Sequence, residues 1–338
     1  MMNMTIVDTL NRPLRQLRIS VIDQCNLRCT YCMPAEVFGK DYVFLPQQQL
    51  LSFEEMERIA NIFAALGVEK IRLTGGEPLM RKGLPELIAI LLKVKGIQDV
   101  SLTTNGLLLG VYASRLKAAG LERINVSLDS LNPSTYGEMN GRHIAVDKVL
   151  QNIAKAAEIG LHIKINMVVQ RGVNDGDVIE MAKYCYENGY TLRFIEYMDV
   201  GNTNRWDMSQ VVASKDILAA IEQHHPLMPT DPVEKGEVAK NYVYKGTTKK
   251  IGFISSVTEA FCSDCSRARI SADGKLYTCL FANTGTDIKT LLNKFGDEEV
   301  KQEIKHIWQN RSDRYSEVRS EIGKYGSIPK IEMSYIGG

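Results

Sequence analysis

The sequence predicts an α/β protein, an incomplete (βα)6 barrel of the triosephosphate-isomerase type over residues 1–200, with a C-terminal α+β domain over 201–338 closing its open side. Three observations carry that expectation. Short apolar segments alternate strictly with amphipathic ones through the first two hundred residues. Such alternation requires right-handed crossovers and a parallel sheet. The strands are polar along one face, which suits a wet lumen better than a doubly wound sheet buried on both sides.

In chain order the strand candidates are Leu17 to Asp23, Glu69 to Thr74, Asp99 to Thr104, Arg123 to Asp129, His162 to Val169 and Thr191 to Met198. Between the first two lies a well-signed helix. Ser52 as N-cap with Glu55 three residues later makes a capping box, and Gly67 supplies the stop after Leu66. Further helices are expected at Leu84 to Val94, Tyr112 to Ala119, Val146 to Ile159 and Val178 to Asn188. Beyond about Gly201 the periodicity breaks down, apart from a hairpin and a helix near Asp297 to Trp308.

Alternation along the strands gives the lumen its character. Arg18 and Ser20, Lys70, Arg72 and Thr74, Ser101 and Thr103, Asn125, Ser127 and Asp129, and Lys164 and Asn166 fall on one face. Ile19 and Val21, Ile71 and Leu73, and Ile163 and Ile165 fall on the other, where helices can cover them. A cationic inner face cannot pack dry, so it should line a cavity that holds a polar anionic ligand. An antiparallel sheet with one solvated face is the competing reading, weakened by the intervening helices.

Composition excludes several classes. At 44% hydrophobic and 24% charged residues with a formal net charge of +1, nothing in the balance suggests wrapping nucleic acid or lying on an anionic membrane. No apolar stretch reaches membrane-spanning length, and the N-terminal residues offer no export signal, so a cytoplasmic location is expected. Seven cysteines in such a chain argue for metal or redox chemistry over disulfides. Cys185, alone in a helical pattern, reads as a small buried hydrophobe. The five histidines show no ligand spacing.

The other cysteines form two triplets. Cys25, Cys29 and Cys32 follow the first strand with C-x-x-x-C-x-x-C spacing, where a parallel barrel places catalytic loops. A closed structural zinc site takes four ligands, whereas three thiolates leave one metal position open. Cys262 and Cys265 precede an Asp273-Gly274 turn, and Cys279 follows it. A two-residue hairpin there would set Cys279 across from Ala268, close to Cys265. Zinc is a more serious alternative for this C-x-x-C.

The first triplet with Tyr31 before its last cysteine, together with Thr74-Gly75-Gly76-Glu77-Pro78 after the second strand, resembles the radical S-adenosylmethionine (SAM) superfamily. With the second triplet and the terminal Ile336-Gly337-Gly338, the chain resembles end to end the GTP 3′,8-cyclase family of molybdenum cofactor biosynthesis. Ile22 and Gln24 depart from the Thr and Arg expected there. The resemblance implies two 4Fe-4S clusters, one on Cys25, Cys29 and Cys32, the other on Cys262, Cys265 and Cys279. It implies SAM contacts at Tyr31, Gly76, Ser127 and Met198. GTP contacts are implied at Arg18, Arg72, Thr103, Lys164, Arg267 and Arg269, the last two also catalytic, with Lys70 and Arg193 further triphosphate candidates. The Gly337-Gly338 tail is expected to reach into the active site. An external flavodoxin- or ferredoxin-like electron donor, a downstream cyclic pyranopterin monophosphate synthase and a homodimer complete the expected partners. The competing readings are a peptide-modifying radical SAM enzyme with an auxiliary cluster and a non-enzymatic iron–sulfur or zinc-binding carrier.

Overall fold

The computed structural model describes residues 5–232, 236–322 and 330–337. Six parallel strands stand side by side in chain order: β1 (Gln16–Ser20), β2 (Lys70–Thr74), β3 (Asp99–Thr104), β4 (Arg123–Ser127), β5 (His162–Val169) and β6 (Thr191–Glu196). The crossovers carry helices α1 (Phe53–Ala65), α2 (Leu84–Leu91), α3 (Leu109–Ala118), α4 (Pro133–Met139), α5 (Val146–Glu158) and α6 (Val178–Asn188). After these come α7 (Ser214–Glu222) and the strands β7 (Leu227–Pro229), β8 (Lys240–Tyr244), β9 (Lys250–Ile254), β10 (Arg267–Ile270), β11 (Lys275–Tyr277) and β12 (Thr286–Asp287). The chain closes with α8 (Ile288–Lys294), α9 (Asp297–Gln309), α10 (Tyr315–Ile322) and α11 (Met333–Ile336).

The later strands extend both edges of the six-stranded arc. β9 adds parallel to β6 and carries β8 and β7 antiparallel, while β10 adds parallel to β1 and carries β11 and β12 antiparallel. Among the described residues the result is one open twelve-stranded sheet, a partial barrel whose two lips come from the C-terminal part of the chain. No helix among the described residues is long and apolar enough to cross a membrane.

Local chemistry explains the elements. The Ser52 hydroxyl accepts from the Glu55 amide at 3.1 Å and the Glu55 carboxylate accepts from the Ser52 amide at 2.7 Å, which satisfies two of the amides a helix start leaves orphaned. α1 then buries Met56, Ile59, Ala60 and Phe63 against the outer face of the sheet, where Leu17, Ile19, Ile71, Leu73, Ile163 and Ile165 are likewise buried. Cys185 sits in the same core. α4, which the periodicity does not announce, starts at Pro133 with the Asn132 side chain capping the Ser134 and Thr135 amides.

Two expectations are corrected. Strands 1, 4 and 6 end short of Asp23, Asp129 and Met198, because the chain there turns into the loops that carry the site. The Asp273-Gly274 turn is not a two-residue hairpin. Gly274 takes φ +89°, and Ser271 bonds Lys275 across a three-residue loop, a type that ends on a left-handed glycine. Arg269 consequently pairs with Tyr277, one residue off the register that would have set Cys279 across from Ala268, and the strand ends at Tyr277, before Cys279. Beyond the strand, Cys279 lines the same cavity as Arg267 and Arg269 and interacts electrostatically with Arg269.

Candidate active site

All six cysteines of the two triplets line one cavity of about 630 Å³ inside the partial barrel. The first triplet occupies the loop after β1. Arg28 holds that loop from behind, donating to the Phe38, Cys25 and Leu27 carbonyls at 2.6, 2.8 and 2.7 Å. The next turn is packed against it without room for a side chain. A Cβ on Gly75 would meet the Ile22 carbonyl at 2.3 Å and one on Gly76 the Gln24 carbonyl at 2.2 Å. Those carbonyls accept from the Gly76 and Glu77 amides, both at 2.8 Å. Ile22 and Gln24 therefore contribute backbone to this contact, which explains how their side chains can depart from the family pattern.

Two buried carboxylates fix the surroundings, and the sequence reading, which set Asp129 on the inner face and Glu77 in the glycine turn, gave neither a role of its own. Glu77 accepts from the Thr104 hydroxyl and the Asn105 amide, each at 2.7 Å, tying the glycine turn to the end of β3. Asp129 accepts from the Tyr31 hydroxyl at 2.7 Å and the Val168 amide at 2.9 Å, joining the cysteine loop to β4 and β5. Burial pushes Glu77 up to about 7 and Asp129 up to about 6. Their signal in the sequence was a carboxylate at or just beyond a strand end, Asp129 in line with the polar inner face and Glu77 within the glycine turn.

The wall below is cationic. Arg269, Arg18 and Arg72 stand in one row across β10, β1 and β2, and Arg267 and Lys70 flank Gln16 in the row beneath. Neighbouring strands are only about 4.8 Å apart, so like charges in a row repel. Burial and the repulsion of Arg193, Arg123 and Arg72 push the Lys164 ammonium down to about 8. Arg18 is pushed down by burial and by Arg269, Arg72 and Arg267. Guanidinium groups keep their protons, so for them the strain remains as unrelieved repulsion. Thr103 on β3, Ser127 on β4, Arg193 on β6 and Met198 just beyond β6 complete the sequence-predicted set, and each lines the cavity together with Tyr31 and Gly76.

The second triplet stands toward the opposite end of the strands, since β10 runs parallel to β1 and Cys262 and Cys265 precede it whereas the first triplet follows β1. Cys262 opens a short 3-10 turn, Cys265 leads into β10 and Cys279 follows β11. Burial raises the Cys265 thiol, but Arg267 and Arg311 outweigh it and bring it down to about 6. Burial and Asp313 instead push Cys279 up to about 12. At the first triplet, burial and Glu77 raise Cys25 to about 11, while burial and Cys25 raise Cys32 to about 12. Near-neutral thiols in a dry site become thiolates when a cation takes the proton's place.

The C-terminal segment covers the opening. Met333 and Ser334 line the cavity, and a Cβ on Gly337 would lie 2.2 Å from the Thr74 methyl at the head of the glycine turn. Glu332 accepts from the Asn202 amide at 2.9 Å, and Lys330 donates to Asp199 at 2.7 Å, beside Met198. Gly338 lies outside the described residues.

The donor sets fit iron–sulfur clusters. Each is three thiols, with no histidine among the described residues of the cavity wall, so each would leave one iron of a cubane open. Among the described residues no three His, Cys, Asp or Glu side chains converge closely enough to chelate one metal ion, whereas a cubane takes each thiolate on a separate iron.

Known proteins agree with this geometry. The family model described as Radical SAM superfamily matches residues 19–185, and that described as Molybdenum Cofactor Synthesis C matches residues 190–317. The chain is 50% identical over 336 residues to proteins named GTP 3′,8-cyclase from Staphylococcus aureus strains JH9 and N315, covering 98% of this chain and 99% of each relative. Among solved structures, Streptococcus suis SuiB bound to S-adenosylmethionine superposes with a TM-score of 0.63 at 17% identity, over 91% of this chain and 68% of that one, a likeness of fold alone. With near-complete coverage at half identity, the chain belongs to the GTP 3′,8-cyclase family of the radical SAM superfamily.

Proposed function

We propose that the chain converts GTP and SAM to 3′,8-cyclo-7,8-dihydro-GTP, 5′-deoxyadenosine and methionine, the first step of molybdenum cofactor biosynthesis. The observation that carries this reading is a single cavity with one cysteine triplet beyond the end of β1, the other before the start of the parallel neighbour β10, and a cationic wall between them. When bound, the first cluster with SAM supplies a 5′-deoxyadenosyl radical and the second offers an open iron to the guanine base. Cys25, Cys29 and Cys32 would hold the first cluster, and Cys262, Cys265 and Cys279 the second.

The protein's own part is binding, orientation and exclusion of water. Tyr31, Gly76, Ser127 and Met198 would contact SAM, Tyr31 held in place by Asp129. Arg18, Arg72, Thr103 and Lys164 would take the nucleotide, with Lys70 and Arg193 on the triphosphate, where anionic oxygens relieve the repulsion among the wall cations. Arg267 and Arg269 would fix the base and ribose so that the C3′ hydrogen atom can pass to the adenosyl carbon released from SAM, giving 5′-deoxyadenosine, and C3′ can bond to guanine C8, the two electrons consumed coming from the external donor and the proton from solvent. The region after residue 200 forms the second-cluster domain in this reading, and the C-terminal segment shields the reacting atoms.

An external flavodoxin- or ferredoxin-like protein would deliver electrons, and a downstream cyclic pyranopterin monophosphate synthase would rearrange the product. The expected setting is the cytoplasm, with the chain as a homodimer. Anaerobic turnover with reductant, SAM and GTP should yield 5′-deoxyadenosine and the cyclised nucleotide in step. Cleavage of SAM with no GTP-derived product would overturn the assignment.

A further inference from the structure

The loop that presents Cys262 and Cys265 is held from outside the barrel by the start of the chain. Residues 6–14 form a tight hairpin, with Leu14 donating to the Ile6 carbonyl at 3.1 Å and Asn11 at φ +59° in the bend. Inside it Asp8 and Arg12 pair through Nε at 2.6 Å, both side chains fully buried. The Asp8 carboxylate also accepts the Leu10 and Arg12 amides at 2.9 Å each, so its position is set by its own backbone.

From there the Arg12 Nη1 reaches across more than two hundred residues of sequence. It donates to the Cys262 carbonyl at 2.9 Å and the Asp313 carbonyl at 2.8 Å. Arg311, 3.6 Å from Asp8, donates to the Cys265 carbonyl at 2.7 Å. Trp308 packs under the Arg311 guanidinium at 4.6 Å and donates to the Arg12 carbonyl at 3.1 Å. Both cysteine carbonyls thus lie before β10 begins and each is held by a buried guanidinium. A dry network of this kind holds one geometry, because no solvent is available to replace a lost partner.

We propose that Asp8, Arg12 and Arg311 are positioning residues for the second cluster, making the N-terminal hairpin part of that site. The inference rests on the reading that Cys262, Cys265 and Cys279 hold a cluster. Arg12 serves a carboxylate and two carbonyls at once, a task for a planar fork that a lysine point charge cannot perform.

The test is Arg12→Lys in the full chain, reconstituted anaerobically with iron and sulfide, with Asp8→Asn as a second, near-isosteric variant. Iron and sulfide are counted per chain, and the spectrum of the reduced protein is recorded with and without SAM, a response that belongs to the first cluster. Both variants should fall from about eight to about four irons per chain while keeping the SAM-responsive signal. Full iron content in both variants would overturn the clamp. Loss of both clusters together would also overturn it, since that marks a general folding role. A wild-type chain with only four irons would sink the two-cluster reading itself and is told apart by that control.

Discussion

Lys164 is the side chain whose protonation the cavity strains most legibly. Its ammonium is held down to about 8 by burial and by Arg193, Arg123 and Arg72, against about 10.4 for a free lysine. Between those two values the unfolded chain binds more protons than the folded one, so this group makes folding stability rise with pH across that window. An anionic triphosphate favours the charged form and reverses the balance. GTP binding should therefore take up a proton above pH 8, and affinity should fall by up to about tenfold per pH unit there. Lys164→Arg keeps its charge throughout and should flatten the dependence. Titration calorimetry at pH 7 and pH 9.5, in buffers of different ionisation heat, measures both effects. A wild-type affinity that does not change with pH would show that Lys164 does not meet the phosphates.

Among elements, the glycine turn that follows β2 carries a constraint on which the site depends. The cysteine loop and the glycine turn meet backbone to backbone, and Gly76 has no space for even one carbon. Gly76→Ala should push the two loops apart and cost on the order of 100-fold in turnover, since small misplacements of reacting groups are that expensive. SAM binding followed by equilibrium dialysis, with iron content as control, separates this from cluster loss. Retained iron with unchanged SAM affinity and rate would refute it. α1 offers the contrasting case of a purely structural device. Ser52→Ala removes half of its capping box and should lower stability by about 1 kcal/mol with turnover unaffected, measurable by chemical denaturation.

For the whole molecule, the decisive feature is that the C-terminal part of the chain builds both lips of the open sheet and then returns across the opening. β10 brings the second triplet to one lip, β9 to β7 form the other, and Lys330 to Gly337 lies over the mouth. A chain truncated before Gly337 keeps every cysteine and every wall cation. Its iron content should be unchanged while cyclised nucleotide disappears, because the cover over Thr74 is gone. Product formation at the wild-type rate by the truncated protein would show that the tail has no part in the chemistry.

By itself the sequence determined the six parallel strands, the capping box of α1, the cationic inner face and both cysteine triplets. Each of these rests on local spacing: period two on a strand, period 3.6 on a helix, or a fixed interval between thiols. The roles suggested for Tyr31, Gly76 and the wall arginines came from resemblance to a family, and the fold brings all of them to one cavity. Tertiary structure alone decided the register of the β10–β11 hairpin, which Gly274 sets by its left-handed backbone and which pairs Arg269 with Tyr277. It alone joined Glu77 to β3, Asp129 to Tyr31 and Arg12 to Cys262. The reason is physical. A buried charge is stabilised by whichever partner the fold carries to it, and the distance along the chain between Arg12 and Cys262 leaves no periodic trace in the sequence.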